Sequence, residues 1–220
     1  MNRVALALVV TLALVGSACA TDDETGETGV LTPAPTESPT PTEEGQVDDP
    51  AGTPPEGHIP DPDSCDGEIG AIEVEDVTVP DHASCTLEGT TVHGNIEVGS
   101  DASLEARSVS VDGDIQAEGA LSVNVVDSTV EGNVQLEEGG RSKVSGTTID
   151  GDLQWSGLED TLEATDNTID GNLQANDNTG GLTIRGNTIG GNLECEDNDP
   201  APEGGDNEVD GDREGQCAEL

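Results

Sequence analysis

A short motif recurs from residue 94 onward and sets the hydrophobic pattern of the chain. Seven copies of a tetrapeptide, Gly-[Asn/Asp]-apolar-[Glu/Gln], begin at Gly94, Gly113, Gly132, Gly151, Gly171, Gly191 and, in the degenerate form GDRE, Gly211. The intervals between these glycines are 19, 19, 19, 20, 20 and 20 residues. A fixed period of this size is typical of a solenoid, in which each repeat forms one coil and stacks on the next.

Alternating apolar and polar positions around each glycine predict short β-strands with one face turned inward. Val or Ile stands two residues before each glycine, and Ile, Val or Leu stands two residues after every glycine except the last. Period-two alternation and the β-branched bias favour strands over helices. We therefore predict an all-β fold, a β-helix of about seven coils of 19–20 residues, stacked at about 4.8 Å.

Three further columns follow from the repeat. Trp155, the single aromatic residue, falls in an otherwise small or aliphatic column and is expected to pack inward. The repeated Gly and the Asn or Asp after it predict a tight corner with positive φ, which these residues tolerate. The final position of the motif predicts a ladder of side-chain amides, formed by Glu97, Gln116, Gln135, Gln154, Gln174, Glu194 and Glu214.

Residues 1–19 predict export. Arg3 precedes an uncharged, mostly apolar run (4–18) that is short for a membrane span and typical of a signal peptide. The ending Gly16-Ser17-Ala18-Cys19 resembles a bacterial lipobox. That resemblance implies cleavage before Cys19, lipidation of Cys19 and anchoring on the outer face of the cell membrane. The alternative is an ordinary small-residue cleavage site and simple secretion.

Residues 20–64 predict a disordered linker. This segment has nine Pro, twelve Asp or Glu, ten Ser or Thr, and no Lys or Arg. Such a composition offers too little apolar surface to offset the entropy lost on ordering. The β-helix is therefore assigned to residues 65–220.

The composition argues against nucleic acid as a partner. The chain has 48 acidic and six basic residues, a formal net charge of −42, and no Phe or Tyr. Nucleic acid is an improbable partner, since phosphate binding requires a basic face. No cofactor is indicated.

The cysteines predict two local disulfides. Cys65 and Cys85 bracket the start of the repeat region, and Cys195 and Cys217 bracket its end. In an exported chain such pairs are typical of disulfides, here Cys65–Cys85 and Cys195–Cys217, which would close the ends of the solenoid. A zinc site is the alternative, although four cysteines at opposite ends of a rod cannot bind one ion.

The rung pattern V-x-G-[ND]-[IVL] resembles that of bactofilins, which are right-handed β-helices. The tail from Asn187 to Cys217 resembles uncharacterised secreted β-helix proteins of actinobacteria. The resemblance covers about residues 65–220 and implies a right-handed β-helix and export. It implies no activity. The chain differs from bactofilins, which are cytoskeletal polymers, in its export signal and its terminal cysteines.

Candidate chemistry on the repeat is sparse. One column stacks Asp112, Glu131, Asp150 and Asp170 on successive coils, which predicts at most weak divalent-cation sites. Paired carboxylates arise in such a ladder without catalytic purpose. His58, His82 and His93 show no metal or catalytic spacing.

We expect a non-catalytic, cell-surface structural or interaction module, held to the membrane by its lipid, with an envelope protein or glycan as partner. One alternative is a β-helix enzyme acting on polysaccharides, which rests on fold analogy alone. Another is a cation- or ice-binding surface, for which a Thr column exists (Thr91, Ser110, Thr129, Thr148, Thr168 and Thr188).

Overall fold

The computed structural model describes residues 63–220. This part contains 24 parallel β-strands and no helix. The strands form three eight-stranded sheets, so the chain makes eight coils with one strand per sheet in each. The predicted all-β solenoid is confirmed, with one coil more than the seven expected. The extra coil, 67–79, lies ahead of the first repeated glycine and has a complete set of three strands.

Sheet 1 collects the first strand of each coil. Its members, in spatial order, are β1 (Gly67–Ile69), β4 (Ser84–Glu88), β7 (Ser103–Arg107), β10 (Ser122–Val126), β13 (Arg141–Ser145), β16 (Leu162–Thr165), β19 (Leu182–Arg185) and β22 (Glu203–Gly205).

Sheet 2 collects the two-residue strands that follow. Its members are β2 (Glu73–Val74), β5 (Thr91–Val92), β8 (Ser110–Val111), β11 (Thr129–Val130), β14 (Thr148–Ile149), β17 (Thr168–Ile169), β20 (Thr188–Ile189) and β23 (Glu208–Val209).

Sheet 3 holds β3 (Val77–Val79) and the seven strands that begin two residues after the repeated glycines. The seven are β6 (Ile96–Val98), β9 (Ile115–Glu118), β12 (Val134–Glu137), β15 (Leu153–Ser156), β18 (Leu173–Asn176), β21 (Leu193–Glu196) and β24 (Arg213–Gly215).

A narrow aliphatic core runs along the axis, because inward residues of one coil sit directly on those of the next. For example, Val134 pairs with Leu153, and Leu153 pairs with Leu173. Trp155 is 1% exposed and lies between Leu136 and Ala175, so its inward packing is confirmed.

The repeated glycines have a different role from the predicted one. None of the seven has a positive φ. Instead, a Cβ on Gly113 would lie 2.6 Å from the carbonyl oxygen of Gly94 and would also meet Asn95 Oδ1. The same geometry recurs at the next coils, for instance between Gly151 and Gly132. These positions are glycine because successive backbones approach too closely at this corner for any side chain.

The Asn or Asp after each glycine explains that close approach. Its side-chain oxygen accepts a hydrogen bond from the backbone N–H of the equivalent residue one coil later, as in Asn95 Oδ1 to Asp114 N at 2.9 Å. This continuous ladder connects Asp76, Asn95, Asp114, Asn133, Asp152, Asn172, Asn192 and Asp212. The Asn and Asp side chains therefore connect successive coils.

Positive φ occurs at the other two corners. One column follows sheet 3 and comprises His82, Asp101, Gly119, Glu138, Gly157, Asp177 and Asp197. The second follows sheet 1 and comprises Gly89, Ser108, Asp127, Gly146, Asp166, Gly186 and Asp206. Gly and Asp dominate because they adopt this conformation at the lowest cost.

Buried asparagines form two further ladders in the C-terminal coils. In one, Asn167, Asn187 and Asn207 are 2%, 1% and 8% exposed. Each side-chain oxygen accepts the N–H of the previous coil, and each Nδ2 donates to a main-chain carbonyl. In the other, Asn178 and Asn198 repeat the arrangement. These amides satisfy corner backbone groups that water cannot reach.

Both predicted disulfides are confirmed. Cys65 is bonded to Cys85, with a Cα–Cα distance of 5.5 Å, and Cys195 is bonded to Cys217, with a Cα–Cα distance of 5.3 Å. Each bond joins residues about one coil apart, 20 and 22 positions in the sequence. The terminal coils, which have a neighbour on one side only, are therefore fixed covalently.

Candidate functional site

The outer face of sheet 2 carries two parallel columns of polar side chains. Because each strand has one inward residue, the residues on either side of it both point outward. The first column is mainly hydroxyl: Thr91, Ser110, Thr129, Thr148, Thr168 and Thr188, with Glu73 and Glu208 at its ends. The second column, two residues later, contains the acidic residues singled out by the sequence. This face is a regular array with one hydroxyl per coil over six coils.

Asp112, Glu131, Asp150 and Asp170 do lie on successive coils, since the inward residues just before them, from Val111 to Ile169, are paired in register. Each contributes one exposed carboxylate to its coil. Within residues 63–220, no group of three or more His, Cys, Asp or Glu side chains is arranged to hold a metal ion. Weak cation binding along this column stays a prediction.

His93 occupies the acidic column one coil before Asp112. Its Nδ1 lies 2.9 Å from Asp112 Oδ2, and its Nε2 lies 3.7 Å from Glu73 Oε2. The hydrogen bond to the Asp112 carboxylate, helped by the charge of Asp112 and by Glu73, raises the pKa of His93 above 6.5 despite some desolvation. His93 therefore gains positive charge more readily than an isolated imidazole and places it in an acidic column.

We expect the His93 pKa to fall toward 6.5 in Asp112→Asn, because the amide keeps the side chain's shape but removes the charge. Since the folded pKa is raised, the pair's contribution to stability is complete below pH 6.5 and is lost as the pH rises through the folded value. An NMR titration of the imidazole resonances measures the shift. An unchanged pKa in the variant would show that Asp112 does not hold the imidazolium.

The outer face of sheet 3 carries the predicted amide column, but its bonding is only partly a ladder. Gln135 Nε2 donates to Gln154 Oε1 at 3.3 Å, and Gln174 Nε2 donates to Glu194 Oε2 at 2.9 Å. Gln116 and Gln154 instead donate to the aspartate two residues earlier on their own coils. The amides thus connect coils at some positions and shield corner carboxylates at others.

The outer face of sheet 1 gathers most of the basic residues in the part of the chain that the structure describes. Four of the five Lys and Arg in residues 63–220 lie in its strands: Arg107, Arg141, Lys143 and Arg185. Arg107 pairs with Glu105 at 2.6 Å, Lys143 with Glu163 at 2.8 Å, and Arg185 with Asp206 at 2.9 Å. The available signal was the spacing of Arg141 and Lys143 around inward Ser142, which places both on one face.

Two residues singled out by the sequence, Cys19 and His58, lie outside the described residues. His82 lies at an exposed corner, where its Nδ1 is 3.5 Å from Asp101 Oδ2. Among the described residues there is no helix long and apolar enough to cross a membrane.

The sequence matches no known protein family and no curated protein, and no solved structure matches it. The likeness to bactofilins and to actinobacterial secreted proteins therefore stays a prediction, as does the right-handed sense of the coils.

Proposed function

We propose that this chain is an exported, non-catalytic module of the cell surface that binds an envelope component through the outer faces of its solenoid. The observation that carries the proposal is the repetition of the exposed columns. On sheet 2 the same pair of side chains, a hydroxyl and a carboxylate, recurs on four successive coils, from Ser110 and Asp112 to Thr168 and Asp170. A surface that repeats at about 4.8 Å suits a ligand that is itself extended or repetitive, because many weak contacts then act together.

The disulfides support export. Disulfides persist in oxidising compartments and are rare where thiols are kept reduced, and here they close both ends of the solenoid. The sequence also supports export, because an apolar run precedes Cys19 and a Pro- and acid-rich linker follows it. In this proposal lipidated Cys19 attaches the chain to the membrane, and residues 20–64 hold the solenoid away from it.

The experiment is affinity capture from isolated cell envelopes with the immobilised mature chain. We expect one dominant protein or glycan to be retained, and less of it to be recovered when Thr129 and Thr148 on the outer face of sheet 2 are replaced by Val, which removes the hydroxyls and keeps the side-chain shape. A resin carrying an unrelated protein of similar negative charge is the control. Equal recovery on both resins would contradict the proposal, because non-specific attraction to negative charge would then explain the binding.

Anchoring has its own test. We expect the wild-type chain to fractionate with membranes and Cys19→Ser to be released into the medium or left unprocessed. Mass spectrometry of the mature N-terminus identifies the modification. An unmodified N-terminus beyond Cys19 would show that the chain is secreted and not anchored. The binding proposal would not be affected.

A further inference from the structure

Arg141 differs from the other basic side chains of residues 63–220. Arg107, Lys143 and Arg185 each pair with a carboxylate, and Arg213 donates to the carbonyl oxygen of Asn207 at 2.6 Å. The guanidinium of Arg141 makes no hydrogen bond or ion pair with any described residue. An unpaired guanidinium is unexpected in so acidic a chain, on a face that carries carboxylates. Its five N–H donors, arranged in a planar fork, are available to a ligand.

The β-sheet register builds a grid of polar side chains around Arg141. Ser122 lies beside it on the previous coil, and Thr161 lies beside it on the next, where the Thr161 carbonyl accepts the N–H of Ser142 at 3.2 Å. A second column two residues along the strand reads Asn124, Lys143 and Glu163. The columns are about 6–7 Å apart and the coils about 4.8 Å apart.

This grid lines a groove of about 440 Å³, which Asp160 borders as well. The size falls within the range of small-ligand sites, about 300–1,000 Å³. Every residue that lines the groove is polar: Asn124, Arg141, Ser142, Lys143, Asp160, Thr161 and Glu163. Ser142 itself points into the core and is 3% exposed, so the other six supply the chemistry.

The charges and donors of the groove select a ligand class. Arg141 and Lys143 are balanced by Asp160 and Glu163, so a doubly charged phosphate would meet two carboxylates as well as two cations. A peptide side chain would find no apolar wall. A ligand with one carboxylate and several hydroxyls fits, because Arg141 binds a carboxylate in bidentate fashion while Asp160, Glu163, Asn124 and Thr161 exchange hydrogen bonds with hydroxyls.

We propose that this groove binds an acidic sugar, the uronate residue of a glycan, with its carboxylate on Arg141. This inference rests on the proposed function, whose partner it narrows to an acidic glycan. The formal net charge of −42 opposes the approach of any anion, but at physiological ionic strength charges beyond about 8 Å are largely screened. Binding of a single sugar is therefore weak and depends on the local contact with Arg141.

The test uses two probes, methyl glucuronide and methyl glucoside, which differ only in carrying a carboxylate or a hydroxymethyl group. Each is titrated into the mature chain at 0.15 M salt, with the Arg141 Nε–H and Asn124 Nδ2 resonances followed by NMR. We expect the glucuronide to shift both resonances and the glucoside to bind about tenfold more weakly or not at all. Acetate, a carboxylate without hydroxyls, serves as the third probe and should also bind at least about tenfold more weakly.

Arg141→Gln should lose glucuronide binding, whereas Arg107→Gln, on the same face and paired with Glu105, should retain it. Far-UV circular dichroism checks that both variants fold. Equal binding of the two sugars, equal binding of acetate, or retention by Arg141→Gln would each overturn the inference. Envelope capture by Arg141→Gln separates the two proposals, since capture that persists there keeps the proposed function and removes only this site.

Discussion

Replacing Asn187 with Ala should lower the free energy of unfolding by at least about 3 kcal/mol. Asn187 is 1% exposed, and its side chain connects three coils. Its Oδ1 accepts from both the N–H and the Nδ2 of Asn167, each at 3.0 Å. Its Nδ2 donates to Asn207 Oδ1 at 3.0 Å and to the Ala164 carbonyl at 2.9 Å.

The size of the effect follows from what the truncation leaves behind. The Asn167 N–H and the Ala164 carbonyl lose these partners in a place that water does not reach, and an unsatisfied buried polar group costs about 1–3 kcal/mol. The space vacated by the amide adds a cavity term. The substitution weakens two contacts between coils at once, because each amide in the ladder donates a hydrogen bond to the next one.

Asn176→Ala is the matched control. Asn176 lies on the outer face of sheet 3, where its Oδ1 accepts one hydrogen bond, from the N–H of Glu196 at 3.1 Å. Loss of this exposed bond should cost at most about 0.5 kcal/mol. Urea unfolding followed by far-UV circular dichroism compares the two variants. Equal midpoints would mean that a water molecule replaces the buried amide.

The inward columns were predictable from sequence because strand alternation has a fixed period of two. Val111, Val130 and Ile149 occupy the same position relative to the glycine motif, so alternation places all three side chains on one face. Their stacking on successive coils follows. The disulfides were predictable for the same reason, since a separation close to one period brings two cysteines onto adjacent coils.

The corner chemistry was not predictable from residue preferences alone. Gly, Asn and Asp all tolerate positive φ, yet at the Gly151–Asp152 corner the glycine allows two backbones to approach closely and the aspartate accepts a hydrogen bond from the next coil. Asn167 and Asn187 look like ordinary surface turn residues, and only the three-dimensional stack shows that they are buried.

The candidate site shows a similar division. The acidic and hydroxyl columns of sheet 2 could be read from the repeat, because most coils contribute the same residue type at the same position. The groove at Arg141 could not, because Arg141 stands where the three preceding coils have Ser84, Ser103 and Ser122, and its neighbours follow only from the register between coils. A repeat predicts what all coils share, whereas a local site depends on what one coil does differently.

The close approach at the repeated glycines predicts a second large effect on stability, and a glycine without such a contact should show the opposite sign. We expect Gly151→Ala to lower the free energy of unfolding by about 1–3 kcal/mol or more. The new Cβ would lie 2.7 Å from the Gly132 carbonyl oxygen and against Asn133 Oδ1. The two backbones must therefore separate, and the hydrogen bond from the Asp152 N–H to Asn133 Oδ1 must lengthen.

Gly181→Ala provides the contrast, because a Cβ there meets no atom within 4 Å and the φ of Gly181 is not positive. Without a clash, the reduced entropy of the unfolded chain should stabilise this variant by up to about 1 kcal/mol. The same entropy term acts in Gly151→Ala, so the difference between the two variants isolates the steric cost. A urea midpoint that rises as much for Gly151→Ala as for Gly181→Ala would show that the coils can separate at this corner without loss, and that the glycine column is not required for their stacking.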